Sequence, residues 1–573
     1  MPALRSDPDK SGIWEIRIAP FLKQYSVALA AIAMLIASAR IVSTYSALTV
    51  VDDEPGHFAC GLEWLSKHVY RYEAQHPPLQ RVLDAVGPYL AGVRPIGGPD
   101  RNEEGAAVIA QSGNVDRTVF LMRLGVLPCF WIACAVVYLW ARRYWDGAVA
   151  VIAVACLTLS PPVLAHAGLA TTDISLAAFL PAAFLTLIVW AESPTLGKSL
   201  LVGFACALAV LSKFTALAYL PASLLLALVI FLLGRRPSRK ELVLIVRTHG
   251  KGLVIAVLTG AVTVWAAYWF SFGEVSGWHV RLPAPEFFQG ILDAMHHAKQ
   301  GHDADAYLLG ETNPNGFWYF FFAALAFKTP LALLAVMVVG IAMCIGRLNE
   351  VGPSSLVAFT FGILLATIPG RLNIGVRHVL PVYVSLSIAA ALGVHWMLSR
   401  YKLFGVCAAG ALFLWATISG ARAHPDYLAY FNEIADREPE RYLVESDLYW
   451  GQGKKLLAAR LRSLGVKEIA VKEDPHPLFH QRLYPEFPHI PIDPDHAQRG
   501  WAVISANDRV LIKHSEIQHS GTDEIVLRDT ASGIAVATQH PEGTRRPWYE
   551  SAEPKERVSG YLLFYTPPGA AAH

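Results

Sequence analysis

Long apolar runs constrain this chain more than any other feature of its sequence. They recur between residues 24 and 420, and many reach about 17–25 residues, the length that an α-helix needs to cross a bilayer. Globular cores are built from shorter amphipathic stretches, so a soluble enzyme does not account for them. The composition agrees, with 54% hydrophobic and 16% charged residues and a mean hydropathy of +0.38. The chain is therefore predicted to be an integral membrane protein that spans the bilayer many times.

Eleven of these runs are predicted to be membrane spans. Within the first run, Ala37, Ser38 and Ala39 resemble a signal-peptide cleavage site. Because the run continues to Val51 without a break, we interpret it as an uncleaved span. The predicted spans are 24–47, 119–141, 147–165, 170–191, 198–212, 214–233, 251–272, 329–346, 353–370, 376–398 and 402–420.

Basic residues indicate how the spans are oriented. Lysines and arginines fall in alternate connections, most densely at 235–251, and connections of this kind lie on the cytoplasmic side. The tail 1–23 is then cytoplasmic, and 24–420 forms the membrane domain. The long loops 48–118 and 273–316 are predicted to face the outer side, as is everything after residue 420.

The last part of the chain, 421–573, is predicted to be a water-facing domain. Its segment 453–464 places Leu457, Leu461 and Leu464 on one face of a helix. Short β-type runs occur at 468–471, 501–505, 509–513, 534–538 and 561–565. The predicted fold class is an all-α polytopic membrane domain of about eleven transmembrane helices with a small α/β extracytoplasmic domain at the C-terminus.

Two kinds of site are disfavoured by the composition. Six of the seven cysteines lie in apolar runs, where a thiol behaves as a small hydrophobe, and only Cys60 lies outside one. The sequence therefore predicts no disulfide framework. The net charge is +2 and no basic stripe is present, so nucleic acid is not an expected partner, whereas the lipid bilayer is.

The first outer loop carries the strongest functional signal. It opens with three consecutive carboxylates, Asp52, Asp53 and Glu54, directly after the first span, and His57-Phe58 follows. Ionisable groups near the bilayer usually serve a function, although a merely hydrated acidic loop is the alternative. Asp53 and His57 are four residues apart and so share one face of a helix. Further on, two prolines hold the backbone after His76 extended in the segment 76–79, His-Pro-Pro-Leu.

These two motifs resemble the first lumenal loop of the protein O-mannosyltransferases. Those enzymes, with the bacterial lipid A aminoarabinose transferases, belong to the GT-C class of glycosyltransferases, in family 39 and its relatives. Four other segments match bacterial phospholipid-carrier-dependent members or related enzymes in order along the chain. They are 166–173 (HAGLATTD), 317–330 (ending KTP), 373–378 (NIGVRH) and 446–452 (SDLYWGQ).

The resemblance implies an enzyme that moves a sugar from a polyprenyl-phosphate carrier onto a protein, lipid or glycan acceptor. It also implies a location in the bacterial inner membrane, with the active site on the extracytoplasmic side. Asp53 matches the family's proposed catalytic acid/base position. Glu54 is the second catalytic candidate, but neighbours on a helix diverge by about 100°, which favours a role in orienting the acceptor or a helix end.

The leaving group of such a transfer is a lipid phosphate, whose developing charge requires cations. Arg377 is the first choice, since a guanidinium binds phosphate at two points, and Lys213 and Lys328 are further candidates. Each of the three has a simpler interpretation as a snorkelling residue near a helix end. Further substrate-binding candidates are His57, His76, Asp173 and His378.

A bound divalent cation stays open at this point. The residues that would gather around it are His57, His76, His166, Asp173 and His378, but none of them has the tight spacing of a zinc site. Asp173 also opens a predicted span, so helix capping explains it as well. We therefore predict no specific metal site.

The second outer loop, 273–316, is rich in aromatic and histidine side chains. Such residues anchor helices at the membrane interface, and they are equally suited to a flap that closes over the lipid carrier. They are Trp278, His279, Phe287, Phe288, His296, His297, His302 and Tyr307.

Two other classes of protein compete with a transferase. A polytopic transporter or flippase also combines many spans with intramembrane charges, although such proteins tend to have repeated halves and polar groups near the midplane. The acidic cluster here lies in a long outer loop, and no repeat is visible. A membrane-embedded metallohydrolase built on Asp53, His57 and His76 is the third alternative.

Overall fold

The computed structural model describes residues 13–276, 280–301, 305–471, 489–493, 497, 499–511 and 548–567. Its secondary structure is mainly helical. The α-helices are α1 (Ala19–Gln24), α2 (Ser26–Thr44), α3 (Glu54–Lys67), α4 (Pro78–Leu90), α5 (Arg101–Gln111), α6 (Val115–Leu124), α7 (Leu127–Tyr144), α8 (Gly147–Thr158), α9 (Pro161–Ala167), α10 (Asp173–Glu192), α11 (Leu196–Ser212), α12 (Ala216–Arg235), α13 (Arg239–Ala267), α14 (Pro285–Gln300), α15 (Phe320–Lys328), α16 (Leu331–Ile345), α17 (Val351–Thr367), α18 (Val382–Arg400), α19 (Lys402–Ala423), α20 (Lys454–Ser463), α21 (Ala506–Val510) and α22 (Trp548–Ser551). The strands are β1 (Phe272–Glu274), β2 (Arg281–Pro283), β3 (Ala306–Leu308), β4 (Glu311–Asn313), β5 (Ile469–Val471), β6 (His489–Pro491), β7 (Gly500–Ser505), β8 (Glu556–Val558) and β9 (Tyr561–Thr566).

The apolar helices coincide with the predicted spans, which confirms a multi-pass membrane protein. Among the described residues, seven helical segments are long and apolar enough to cross a bilayer: α2, α6 with α7, α10, α12, α13, α18 and α19. The pair α8 and α9 forms an eighth if it is one bent span, and α11, α16 and α17 are shorter apolar helices. The number of spans, eleven, stays a prediction.

Two predicted spans have different shapes in the structure. The third was predicted as one run, but α8 and α9 meet at an angle of 69°, since a helix cannot continue smoothly into Pro161 and Pro162. The seventh was predicted from residue 251, but α13 begins at Arg239. Ser238 and Glu241 form a reciprocal capping box there, so part of the basic cluster lies on the helix and not in a connection.

Small residues let the central helices approach closely. A Cβ at Gly340 on α16 would lie 1.7 Å from the Ala389 carbonyl oxygen on α18, and one at Gly393 on α18 would lie 2.3 Å from the Val336 carbonyl oxygen on α16. Interfaces of this kind are common where helices associate within a bilayer. Most of α18 is buried, so it lies within the helical core.

The C-terminal region contains the predicted α/β structure. Five strands form a sheet in the order β6-β5-β7-β9-β8, in which β6, β5 and β7 are parallel and the other pairings antiparallel. The strand predicted at 509–513 is wrong over its first residues, because Ser505 caps the short helix α21 by accepting a hydrogen bond from Asp508 N. The strand predicted at 534–538 lies outside the described residues.

The first part of that region belongs to the main core. Tyr427, Phe431, Leu448 and Trp450 are buried in the same hydrophobic cluster as the membrane helices. The domain boundary predicted at residue 421 stays a prediction, and the chain beyond it is packed against the helices before the sheet begins.

A buried ion pair fixes the start of the first outer loop. Arg123 on α6 contacts both carboxylate oxygens of Glu54, at 2.8 and 2.7 Å, and both side chains are fully buried. Arg123 also donates to the carbonyl oxygens of Tyr45, Leu48 and Thr49 at the end of α2. Glu54 accepts hydrogen bonds from the backbone N–H groups of Val51 and Ala170, so one pair joins three segments of the chain.

This pair yields a prediction about stability. Glu54→Gln leaves Arg123 as an uncompensated buried charge, and we expect a loss of about 3–5 kcal/mol in the free energy of unfolding. Glu192→Gln is the matched control, because it breaks the partly exposed pair with Arg143 and should cost only about 0–1 kcal/mol. Thermal unfolding of the purified variants in detergent measures both. Equal losses would contradict the structural role of Glu54.

The orientation across the membrane is a further prediction. In a background without cysteines, single cysteines at Lys67 and Lys467 should react with an impermeant maleimide on intact spheroplasts, because both positions are exposed and lie on the predicted outer side. A cysteine at Lys240, in the basic cluster, should react only after lysis. The reverse pattern would invert the predicted topology.

Candidate active site

Asp53 lies where the first outer loop turns into α3. It is the residue before the first turn of that helix, and the His57 N–H bonds to its carbonyl oxygen at 3.1 Å, as their spacing predicts. Its neighbours Val51 and Glu54 are fully buried, whereas the Asp53 side chain is 36% exposed. The carboxylate is therefore accessible although its backbone is anchored.

Arg377, which is 324 residues from Asp53 in sequence, contacts the Asp53 carboxylate. It lies on a short 3-10 helix, Val376–Val379, before α18, and its Nη1 is 3.1 Å from Asp53 Oδ2. The Trp450 ring lies against the guanidinium, with its centroid 4.0 Å from the central carbon. Asp447 accepts a hydrogen bond of 2.9 Å from Val376 N and so holds the turn that carries Arg377.

A second carboxylate and a second cation lie beside this pair. Asp173 Oδ1 is 2.6 Å from Lys213 Nζ, and Asp173 Oδ2 is 3.9 Å from Arg377 Nη1. The Asp173 side chain does not cap α10, because Thr172 is the cap residue and makes no side-chain cap bond. Lys213 lies in the turn between α11 and α12. Two carboxylates and two cations thus form one network, which we call the Asp53 cluster (Asp53, Asp173, Lys213 and Arg377).

The two loop histidines lie together next to Asp53. The ring centroids of His57 and His76 are 5.2 Å apart in an edge-to-face arrangement. Arg81 Nε donates to His57 Nδ1 at 2.9 Å, and the Glu73 carboxylate contacts both Arg81 and His76. The two histidines of the first outer loop therefore lie side by side.

The charges of these groups follow from their surroundings. Burial raises the pKa of the Asp53 carboxyl, but the charge and hydrogen bond of Arg377, with His57 and His76, together outweigh burial and bring the pKa below its usual range. Burial lowers the pKa of His57 well below its usual range, and the charge of Arg81 acts in the same direction. The pKa of His76 is also lowered by burial, which the Glu73 carboxylate offsets in part. At neutral pH the carboxylate is ionised and both imidazoles are uncharged.

Three predicted residues have other environments. Glu54 is occupied by Arg123 and fully buried, so it does not share the accessible position of Asp53. Lys328 Nζ donates to the backbone carbonyl oxygens of Leu428 and Asp447 instead of facing the Asp53 cluster. His378 follows Arg377, and its buried Nε2 has no hydrogen-bond partner among the described residues.

The second outer loop packs against the first outer loop. Helix α14 packs onto the loop before His76, where a Cβ at Gly290 would lie 2.1 Å from the Ala74 carbonyl oxygen. The Phe287 ring contacts the Phe214 ring at a centroid distance of 5.6 Å. Whether α14 moves as a flap stays a prediction, and three residues of the predicted aromatic and histidine set, Trp278, His279 and His302, lie outside the described residues.

Over the described ranges, no three or more His, Cys, Asp or Glu side chains are arranged to hold a metal ion. The His57 nitrogen that faces Arg81 already accepts a hydrogen bond. The donors that gather at the Asp53 cluster include an arginine and a lysine, which repel a cation.

Sequence reasoning missed several residues that shape the site. Arg81, Glu73 and Trp450 were not singled out, although Trp450 stands in the quoted segment 446–452. A signal was available for Arg81. It directly follows the segment His-Pro-Pro-Leu-Gln (76–80) and so would lie in the first turns of a helix whose opposite positions are apolar. No sequence pattern indicates that Trp450 stacks on Arg377.

Comparisons with known proteins bear on the helical part of the chain. Residues 109–269 match the family model described as dolichyl-phosphate-mannose-protein mannosyltransferase. This range includes Asp173 and Lys213 but neither Asp53 nor Arg377. No curated protein matches the chain.

Two solved structures are similar at low identity. Apo ArnT from Cupriavidus metallidurans is 13% identical, with a TM-score of 0.48 over 94% of this chain and 97% of that one. Archaeal oligosaccharyltransferase AglB from Archaeoglobus fulgidus, in complex with an inhibitory peptide and a dolichol-phosphate, is 16% identical, with a TM-score of 0.46 over 70% of this chain and 56% of that one. Over residues 109–269 the chain carries the pattern of the dolichyl-phosphate-mannose-protein mannosyltransferases, which confirms the resemblance that its sequence motifs predicted.

Proposed function

We propose that this protein is a membrane glycosyltransferase that moves a sugar from a polyprenyl-phosphate carrier to an acceptor hydroxyl on the extracytoplasmic face. The observation that carries the proposal is the accessible Asp53 carboxylate beside the mostly buried Arg377 guanidinium, 3.1 Å apart. A base and an anion-binding cation thus lie side by side. The match of residues 109–269 to a mannosyltransferase family supports the same reaction class.

The two cations of the Asp53 cluster suit the carrier phosphate. Arg377 and Lys213 side chains are 12% and 10% exposed, so little water competes for them. The buried Arg377 Nε has no hydrogen-bond partner among the described residues, so the guanidinium has a donor left for a phosphate oxygen. Asp173 holds Lys213 at 2.6 Å and keeps the cluster neutral before the donor arrives.

The reaction follows from these positions. The Asp53 carboxylate takes the proton of the acceptor hydroxyl while that oxygen forms a bond to the anomeric carbon of the sugar. The bond from the anomeric carbon to the phosphate oxygen breaks, and the carrier phosphate leaves with the electron pair. Arg377 and Lys213 stabilise the charge that develops on it. Attack opposite the leaving group inverts the anomeric centre.

The depressed pKa of Asp53 fits this sequence of events. A strongly ion-paired carboxylate is a weak base. When the donor phosphate binds Arg377, the guanidinium also interacts with the phosphate and stabilises the Asp53 carboxylate less. The anion also adds repulsion, so the basicity of Asp53 rises as the substrate is bound.

Asp53→Asn is the decisive variant. It preserves shape but removes the proton acceptor, and a positioned base contributes about 10²–10⁴-fold, so kcat should fall by that factor while donor binding stays close to parental. Radiolabelled sugar transfer from polyprenyl-phosphate donors by protein purified into nanodiscs measures kcat. Asp52→Asn, at the exposed neighbouring position, is the matched control and should remain active.

The remaining acidic variants separate catalysis from folding. Glu54→Gln should lose stability, with a milder loss of kcat once unfolded protein is accounted for, and Asp173→Asn should weaken donor binding through Lys213. An active Asp53→Asn together with an inactive, well-folded Asp173→Asn would reassign the base to Asp173. If all three variants kept full activity, the catalytic role of this acidic region would be refuted.

Arg377 yields a prediction on pH dependence. Its positive charge lowers the pKa of Asp53, so Arg377→Gln should raise that pKa and move the acid limb of the kcat/KM profile to higher pH. Arg377→Lys keeps the charge but not the two-point contact, so the limb should move less while the KM for the donor still rises. Arg371→Gln, on the exposed part of the same connection, is the control. An unmoved acid limb in Arg377→Gln would show that the titrating base is not Asp53.

A further inference from the structure

The hydrogen bond between Arg81 and His57 bears on the protonation state of His57 as well as on the orientation of its ring. Arg81 on α4 is fully buried and is held by Tyr70 OH at 2.8 Å, by the Glu73 carbonyl oxygen at 3.1 Å and by the Glu73 carboxylate. Its backbone is fixed as well, since a Cβ at Gly61 on α3 would lie 1.9 Å from the Arg81 carbonyl oxygen. The guanidinium is thus positioned before any substrate binds.

The chemistry of the two partners leaves one protonation state for His57. An arginine side chain only donates and is not deprotonated in proteins, so the His57 Nδ1 that lies 2.9 Å from Arg81 Nε must accept. A neutral imidazole with an acceptor at Nδ1 carries its proton on Nε2. A second proton on Nδ1 would break the bond and place two cations in contact.

The other ring nitrogen is available to a ligand. Among the described residues, the only hydrogen bond of the His57 side chain is the one from Arg81. The residue is nearly fully buried, at 2% exposure, and its Nε2–H lacks a hydrogen-bond partner within the described protein. It lies across the ring from Arg81, on a residue one helical turn from Asp53.

An N–H donor that has no protein partner and lies next to a carboxylate is available to a polar group of a ligand. The Asp53 carboxylate is bound by Arg377, and the neighbouring His76 ring is engaged by Glu73. A hydroxyl of the bound sugar is the chemical group that best matches a neutral N–H donor in this position, because it accepts without bringing charge.

We propose that Arg81 is a positioning residue that fixes His57 in the neutral Nε2–H tautomer, and that His57 thereby donates a hydrogen bond to a hydroxyl oxygen of the donor sugar. The assignment of the tautomer depends only on contacts within the protein. The substrate contact rests on the proposed function. In this arrangement His57 serves neither as a base nor as a metal ligand, because one nitrogen is protonated and the other is bonded to Arg81.

The tautomer is measured on full-length protein without substrate. With ¹⁵N-labelled histidine in nanodiscs, the signals absent from His57→Gln belong to His57. At neutral pH they should show an unprotonated Nδ1 and a protonated Nε2. A protonated Nδ1 would overturn the inference. If Arg81→Lys folds, its His57 should populate both tautomers. A single tautomer in this variant would show that Arg81 does not fix the tautomer. If it does not fold, the parental spectrum alone decides the tautomer.

The substrate contact is tested by a matched pair of variants. The amide nitrogen of His57→Gln reaches the place of Nε2 and can still donate, whereas that of His57→Asn reaches only the place of Nδ1. We expect His57→Gln to exceed His57→Asn by about tenfold in kcat/KM for undecaprenyl-phosphate-linked sugars, the effect of one hydrogen bond. His68→Gln and His68→Asn, at the exposed end of the same helix, should be alike.

The outcomes keep the two claims apart. Equal activity of the two His57 variants, with the parent active, would refute the substrate contact and leave the proposed function intact. A parent without transfer activity on any polyprenyl-phosphate sugar would refute the proposed function and the contact with it, while the spectrum would still decide the tautomer.

Discussion

The buried pair of Glu54 and Arg123 is the interaction on which the position of Asp53 and the segments around it depends. It ties the end of α2, the start of α3 and the turn before α10 to α6, with hydrogen bonds at nearly every oxygen and nitrogen involved. Because all of these groups are removed from water, any shift of one segment would leave a charge unpaired. Asp53 precedes Glu54 directly, so a rigid, buried residue holds the accessible one in place.

The candidate site is assembled from segments that are distant in sequence but share supports. Asp53 comes from the first outer loop, Asp173 and Lys213 from the ends of apolar helices, and Arg377 from the connection between α17 and α18. The segment 446–452 contacts both sides, since it stacks Trp450 on Arg377 and bonds to the backbone at Thr49 and Asp52. Fixed geometry of this kind favours positioned charges over a mobile binding surface.

The fold could be predicted from sequence because apolar length and charge asymmetry act locally along the chain. Each predicted span has a helical counterpart, and the errors arise where a local cap or a proline overrides the hydrophobic pattern, as at Ser238 and Pro161. The site was predicted in part. Asp53, His57, His76 and Arg377 stand in recognisable motifs, whereas the pairing of Asp53 with Arg377 spans 324 residues and no local pattern encodes it. The helical pattern after His76 marks Arg81, but its role appears only when its contact with His57 is known.

The packing of Trp450 and Asp447 against the Arg377 turn bears on how the protein is made. Asp447 and Trp450 follow α19, the last apolar helix among the described residues, so the membrane helices are synthesised before these two residues are added. Until then the turn before α18 lacks the ring that covers its guanidinium and the carboxylate that holds its backbone. The charged cluster therefore acquires its final geometry only after the segment that follows α19 has been synthesised. A chain that stops after α19 has the membrane helices but lacks the contacts that hold the Arg377 turn.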